Sequence, residues 1–130
     1  MRLLASLFFP LALLACNNAD QSVAAFVDPG SSWKLSALNG APFLANATIA
    51  FPAAGRVTGQ GPCNGYTAQQ TAPYPWIEIK AIGATKMACS QMAEEQVFFN
   101  ALTKVTIAEV AGTTLILSAE NDIEMVFTRL

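Results

Sequence analysis

Gly59-Gln60-Gly61-Pro62-Cys63-Asn64-Gly65-Tyr66 gathers three glycines, a proline and a cysteine into eight residues, and the rest of the chain is read outward from it. Glycine takes positive φ without steric cost and proline removes a backbone donor, so the stretch is expected to end a strand and fold back over the domain. A second cysteine follows in Thr85-Lys86-Met87-Ala88-Cys89. A bridge from Cys63 to Cys89 would pin the bend. A redox or metal pair is the alternative, but the two lie 26 positions apart without a C-x-x-C spacing, which favours a structural disulfide in an oxidising compartment. Closing such a loop stabilises a fold by about 3–4 kcal/mol on the chain-entropy account.

Upstream, Trp33, Leu35 and Ala37 alternate with Ser32, Lys34 and Ser36, which predicts a strand over 32–38 with Trp33 and Leu35 facing inward. Asn39-Gly40 is a hairpin turn signal, Thr48-Ile49-Ala50-Phe51 the returning strand, and Pro52-Ala53-Ala54-Gly55 the next reversal into Arg56-Val57-Thr58-Gly59. Downstream, residues 68–75 are polar and proline-punctuated and read as a surface loop before a strand at Trp76-Ile77-Glu78-Ile79. The period then changes. Ala88, Met92, Val97, Phe98, Ala101 and Leu102 form a broad apolar face at helical spacing, giving one helix over about Ser90–Lys104 with Ser90 as N-cap. Glu94 and Glu95 sit near its positive end and Lys104 near its negative end. Strands follow at 105–110, 113–118 and 123–129. The fold class is therefore mainly β (α+β), a small antiparallel barrel or curled sheet with one α-helix closing a mouth.

The N-terminus has its own grammar. Arg2 precedes an apolar run from Leu3 to Ala15 that is about 20 Å long as a helix, short of the roughly 30 Å of a hydrocarbon core. It reads as an export signal. Leu13-Leu14-Ala15-Cys16 resembles a bacterial lipobox, which implies cleavage before Cys16 and lipidation of that residue. The cysteine count agrees, since lipidating Cys16 leaves an even pair. Asn17 stands where aspartate would suggest inner-membrane retention, so an outer-membrane anchor facing the periplasm is expected. The expected division is a leader over 1–15, a lipidated terminus and flexible tether over 16–31, and one domain over 32–130.

Composition narrows the chemistry. The chain has no histidine, which removes Ser-His and Cys-His nucleophilic pairs, histidine metal sites and a histidine pH switch. The net charge of -2 provides no electrostatic reason to seek nucleic acid.

Taken together, Trp33-Lys34-Leu35, Leu38-Asn39-Gly40, Phe51, Gly55-Arg56-Val57-Thr58-Gly59, Cys63-Asn64-Gly65-Tyr66, Thr85-Lys86-Met87-Ala88-Cys89, Glu94 or Glu95 with Phe98 and Leu102, and Leu115-Ile116-Leu117 resemble the META domain of HslJ-like bacterial envelope proteins. The resemblance spans residues 32–129; Pro62 replaces the glycine that commonly precedes the family's Cys-Asn pair. It implies a lipocalin-like β-barrel with a helix, a bridged cysteine pair, and a role in envelope or heat stress without an established reaction. It carries over no catalytic residue.

Asn64, Tyr66, Thr85 and Lys86 flank the expected bridge and form a candidate interaction surface, though such residues also satisfy backbone groups. Glu120, Asp122 and Glu124 lack the loop glycine and closing glutamate of a calcium site. Glu94 and Glu95 point about 100° apart on a helix and make a poor acid-base pair. No cofactor or metal is called for. The expected function is a non-enzymatic, lipid-anchored envelope protein that binds an envelope partner. The alternatives are a barrel carrier of a small apolar ligand, and an enzyme using Lys86 or a reactive cysteine.

Overall fold

The computed structural model describes residues 19–130; the leader and Cys16 lie outside them. A 3-10 turn (Val23–Ala25) precedes β1 (Ser32–Leu38), β2 (Ala41–Pro42), β3 (Thr48–Ala53), β4 (Gly55–Gln60), β5 (Gly65–Gln70) and β6 (Lys80–Ala84). Helix α1 (Met92–Leu102) follows, then β7 (Ile107–Ala111), β8 (Thr114–Ala119) and β9 (Ile123–Arg129).

Local chemistry sets each turn. Asn39 and Gly40 have φ of 52° and 80°, the left-handed pair that a tight hairpin turn requires, and they place Leu38 opposite Ala41. Gly55, at φ 77°, reverses the chain between β3 and β4. Alternation in β1 buries Trp33 and Leu35 and exposes Lys34 and Ser36.

The strands form one antiparallel sheet in the order β6-β5-β4-β3-β1-β9-β8-β7, with β2 paired to β1. The first and last long strands are therefore neighbours at the centre, where Leu35 faces Phe127. The sheet curls into a half-barrel, a lipocalin-like shape, and α1 is the crossover from the β6 edge to the β7 edge. Side chains from both halves fill the inside. Trp33, Leu35, Ile49, Phe98, Leu102, Leu115, Leu117, Met125 and Phe127 are all essentially inaccessible to solvent.

Several expectations need correction. Residues 68–70, expected to open a surface loop, instead complete a strand, β5. Trp76–Ile79 is not a strand, although Ile77 and Ile79 are buried as alternation requires; Trp76 makes only an isolated bridge to Ile107. The strand lies later, in β6. The helix starts at Met92 with Gln91 in the capping position and no side-chain cap, so Ser90 does not cap it and Lys104 lies past its end. Met92 and Val97 are exposed; the buried face is Glu95, Phe98, Ala101 and Leu102.

Residues 22–27, expected in a flexible tether, dock on the sheet instead. Val23 and Val27 enter the core, and Tyr74 N–H donates to the Gln21 carbonyl at 2.7 Å. The apolar side chains of this short segment bury more favourably on the domain than they solvate in a linker.

Candidate functional site

The bend at Gly59–Tyr66 is held by two devices of different chemistry. One is the disulfide between Cys63 and Cys89, whose Cα atoms lie 5.7 Å apart. The other is polar. Glu95, in the first turn of α1, is buried, and its Oε1 accepts the main-chain N–H of Cys63 at 3.1 Å and of Asn64 at 2.7 Å. Its Oε2 accepts from Asn64 Nδ2 at 2.7 Å.

Asn64 passes the connection on. Its Nδ2 also donates to the Met87 carbonyl at 3.1 Å, while its Oδ1 accepts from Thr85 Oγ1 at 2.8 Å and from Met87 N–H at 2.7 Å. A primary amide has two donor hydrogens and two acceptor lone pairs, and here all four are used. Charge-assisted hydrogen bonds to backbone donors are the strong kind, and burial makes leaving any of them unmade expensive. The bend, the 85–89 loop and the start of α1 are thus tied at one point.

Glycine is needed here for space. Gly59, Gly61 and Gly65 are not among the positive-φ glycines, which are Gly30, Gly40, Gly55 and Gly112. A Cβ on Gly61 would lie 2.6 Å from Glu95 Oε1, and one on Gly59 would overlap the Thr48 carbonyl oxygen. Backbone approaching a carboxylate or another strand this closely tolerates no side chain.

Tyr66 braces the bend from within. Its hydroxyl donates to the Thr48 carbonyl at 2.7 Å, and its ring meets Phe98 and Phe99 edge-on with centroids 5.8 and 5.2 Å away. Burial pushes the Tyr66 hydroxyl well above its ordinary pKa of 10.0, because the phenolate would lose its hydration.

This geometry stabilises a loop. Both Glu95 oxygens are occupied by donors, and Asn64 is saturated. Among the described residues, no group of three or more histidine, cysteine, aspartate or glutamate side chains is arranged to hold a metal.

The META domain family matches residues 24–130, nearly the whole described chain. The chain belongs to the META domain family. Solved structures share its fold. An NMR structure of a protein from Burkholderia xenovorans superposes with a TM-score of 0.65 at 22% identity, covering 83% of this chain and 86% of that one. A crystal structure of a DUF4847 family protein from Bacteroides vulgatus gives 0.63 at 16% identity, covering 80% and 95%. No curated protein matches.

Within this META domain the candidate interaction residues separate. Asn64 and Tyr66 are buried and present nothing to a partner, whereas Thr85 and Lys86 are exposed, with the Thr85 hydroxyl turned to Asn64. Glu95, read from the sequence as a helix-dipole charge, is the residue on which the clamp converges. Its signal was its place on the helix: it precedes Phe98 by one turn and Leu102 by two, in line with the buried stripe. A carboxylate on an apolar stripe must have a partner.

Proposed function

We propose that this META domain is a non-enzymatic, lipid-anchored envelope protein that binds a partner through the preorganised surface around the 85–92 loop. The observation that carries this reading is the doubled fastening of that loop, by the disulfide and by Asn64–Glu95, beneath side chains that remain exposed. Met87 is 63% exposed, Val97 51% and Met92 44%. Holding apolar side chains in fixed positions lowers the entropy lost on binding, and methionine adapts to irregular partner surfaces. Lys86 adds a charge at the rim. Together with the lipobox-like Leu13-Leu14-Ala15-Cys16, this favours an adaptor tied to the periplasmic face of a membrane and engaged in envelope or heat stress.

The carrier reading is weaker. Trp33, Phe98 and Phe127 fill the volume a ligand would need, and the clefts found among the described residues are shallow and open to solvent. A photo-crosslinking residue at position 86 in intact cells tests the proposal. We expect a discrete adduct that Val97→Glu removes without changing thermal stability. An adduct pattern no different from that of a probe in the exposed turn at Gly112 rules the surface out.

A further inference from the structure

Surface aromatic residues collect where the chain leaves the domain. Phe26 is 51% exposed and Trp76 56% exposed. Phe26 stacks on Tyr74 with ring centroids 4.1 Å apart and planes 18° from parallel. Tyr74 N–H in turn donates to Gln21 O, so the stack sits at the point where residues 19–21 depart. The same segment continues along the β7 edge. Tyr74 Oη accepts from Val110 N–H at 3.2 Å, Pro75 O accepts from Ala108 N–H at 2.7 Å, and Trp76 bridges Ile107. Phe26, Tyr74 and Trp76 therefore lie along one edge of the half-barrel, beside the exit.

The length of chain beyond that exit says what covers this edge. Here the inference rests on the reading that Cys16 carries the lipid. From Cys16 to the docked Gln21, a fully extended chain reaches at most about 18 Å, at roughly 3.6 Å per residue. A domain of this size is about 30 Å across, so a tether shorter than the domain holds the exit side toward the bilayer. Indole and phenol rings favour the membrane-water boundary, where one part of the ring is wet and the other is not. Nearby, Asp28 is paired with Arg129 and Glu78 with Lys80, while Asp20 at the exit and Glu109 on β7 are exposed acids, so the region carries no excess of positive charge. A net negative domain has no attraction to anionic lipid.

We propose that the Phe26–Tyr74–Trp76 edge rests on the surface of a zwitterionic phospholipid leaflet, so that the short lipid tether and the aromatic edge together set the orientation of the domain. The test uses the full lipidated chain in phosphatidylcholine vesicles, with and without bromine on the upper acyl chain. Trp33 is buried, which leaves Trp76 as the reporter. Brominated lipid should quench the Trp76 emission, Trp76→Phe should abolish that loss, and Phe26→Ser should reduce it. If the chain floats with vesicles and its mass includes acyl groups, yet bromination leaves the emission unchanged, the edge does not touch lipid and the inference fails while the anchor stands. A mature chain without acyl groups overturns both. Shielding of Trp76 from iodide to the same degree in the unacylated Cys16→Ser chain, in buffer without vesicles or detergent, assigns the edge to a second copy and overturns the proposal.

Discussion

Glu95 Oε2 accepts a hydrogen bond from Asn64 Nδ2 at 2.7 Å, across 31 positions of sequence, and in doing so joins the first turn of the helix to the bend between β4 and β5. This pairing places a carboxylate where three N–H groups converge, a demand that no neutral side chain meets in full.

Glu95→Ala should therefore lower the unfolding free energy by about 3–5 kcal/mol, since buried donors lose a charged acceptor. Glu95→Gln keeps the shape but turns an amide N–H toward a donor, and should cost about 1–3 kcal/mol. Urea unfolding monitored by Trp33 emission measures both. A loss below about 0.5 kcal/mol for the alanine variant, typical of a surface site, would mean that the clamp contributes nothing to stability.

The disulfide and the clamp fasten the same segment, so their contributions should not add. Removing the bridge with Cys63→Ala and Cys89→Ala should cost about 3–4 kcal/mol for a separation of 26 residues. Glu95→Gln on that background should differ from its single effect by about 0.5 kcal/mol or more, as groups sharing a partner do. Strict additivity in the double-mutant cycle would show that the two devices act independently.

The hairpins were legible because their turns carry their own chemistry. Asn39-Gly40 requires left-handed backbone, and the residues on either side alternate cleanly. β5 was not legible, because its inward positions are Tyr66, Ala68 and Gln70. Gln70 is buried because its side chain serves the main chain: Oε1 accepts from Glu78 N–H at 2.7 Å and Nε2 donates to the Ala72 carbonyl at 2.8 Å. That amide also takes the donor of Glu78, a residue the alternation of Ile77 and Ile79 had suggested was in a strand. The candidate site was half legible. The cysteines and Asn64 were recognisable by their neighbours, but the acceptor for them lay on a helix whose charge pattern had a simpler explanation.

The glycines make the same distinction testable. Positive φ was the expected reason for those in the bend, and close approach is the observed one. Gly59→Ala should cost about 2–4 kcal/mol, because backbone rather than a flexible side-chain tip stands in the way. Gly83→Ala, where the nearest atom is Thr67 Oγ1 at 3.9 Å, should stay within about 0.5 kcal/mol of the parent. Equal thermal shifts for the two would sink the close-packing account.

Tyr66 provides a prediction in alkali. Its folded-state pKa lies above the ordinary 10.0, so above that pH the unfolded chain releases a proton that the folded chain keeps. The stabilisation is whole below pH 10.0 and is lost as pH climbs toward the folded value. For one proton the slope approaches about 1.4 kcal/mol per pH unit. Tyr66→Phe removes this proton while also losing the hydrogen bond to Thr48, which lowers stability at neutral pH by about 1 kcal/mol. Denaturant titrations from pH 8 to about 11.5 should therefore show the two proteins converging as the pH rises and crossing at about pH 10.6, where the loss equals the hydrogen-bond contribution. Parallel curves would mean that the phenol ionises as easily in the fold as in water, and that the ring is not sealed against the Thr48 carbonyl.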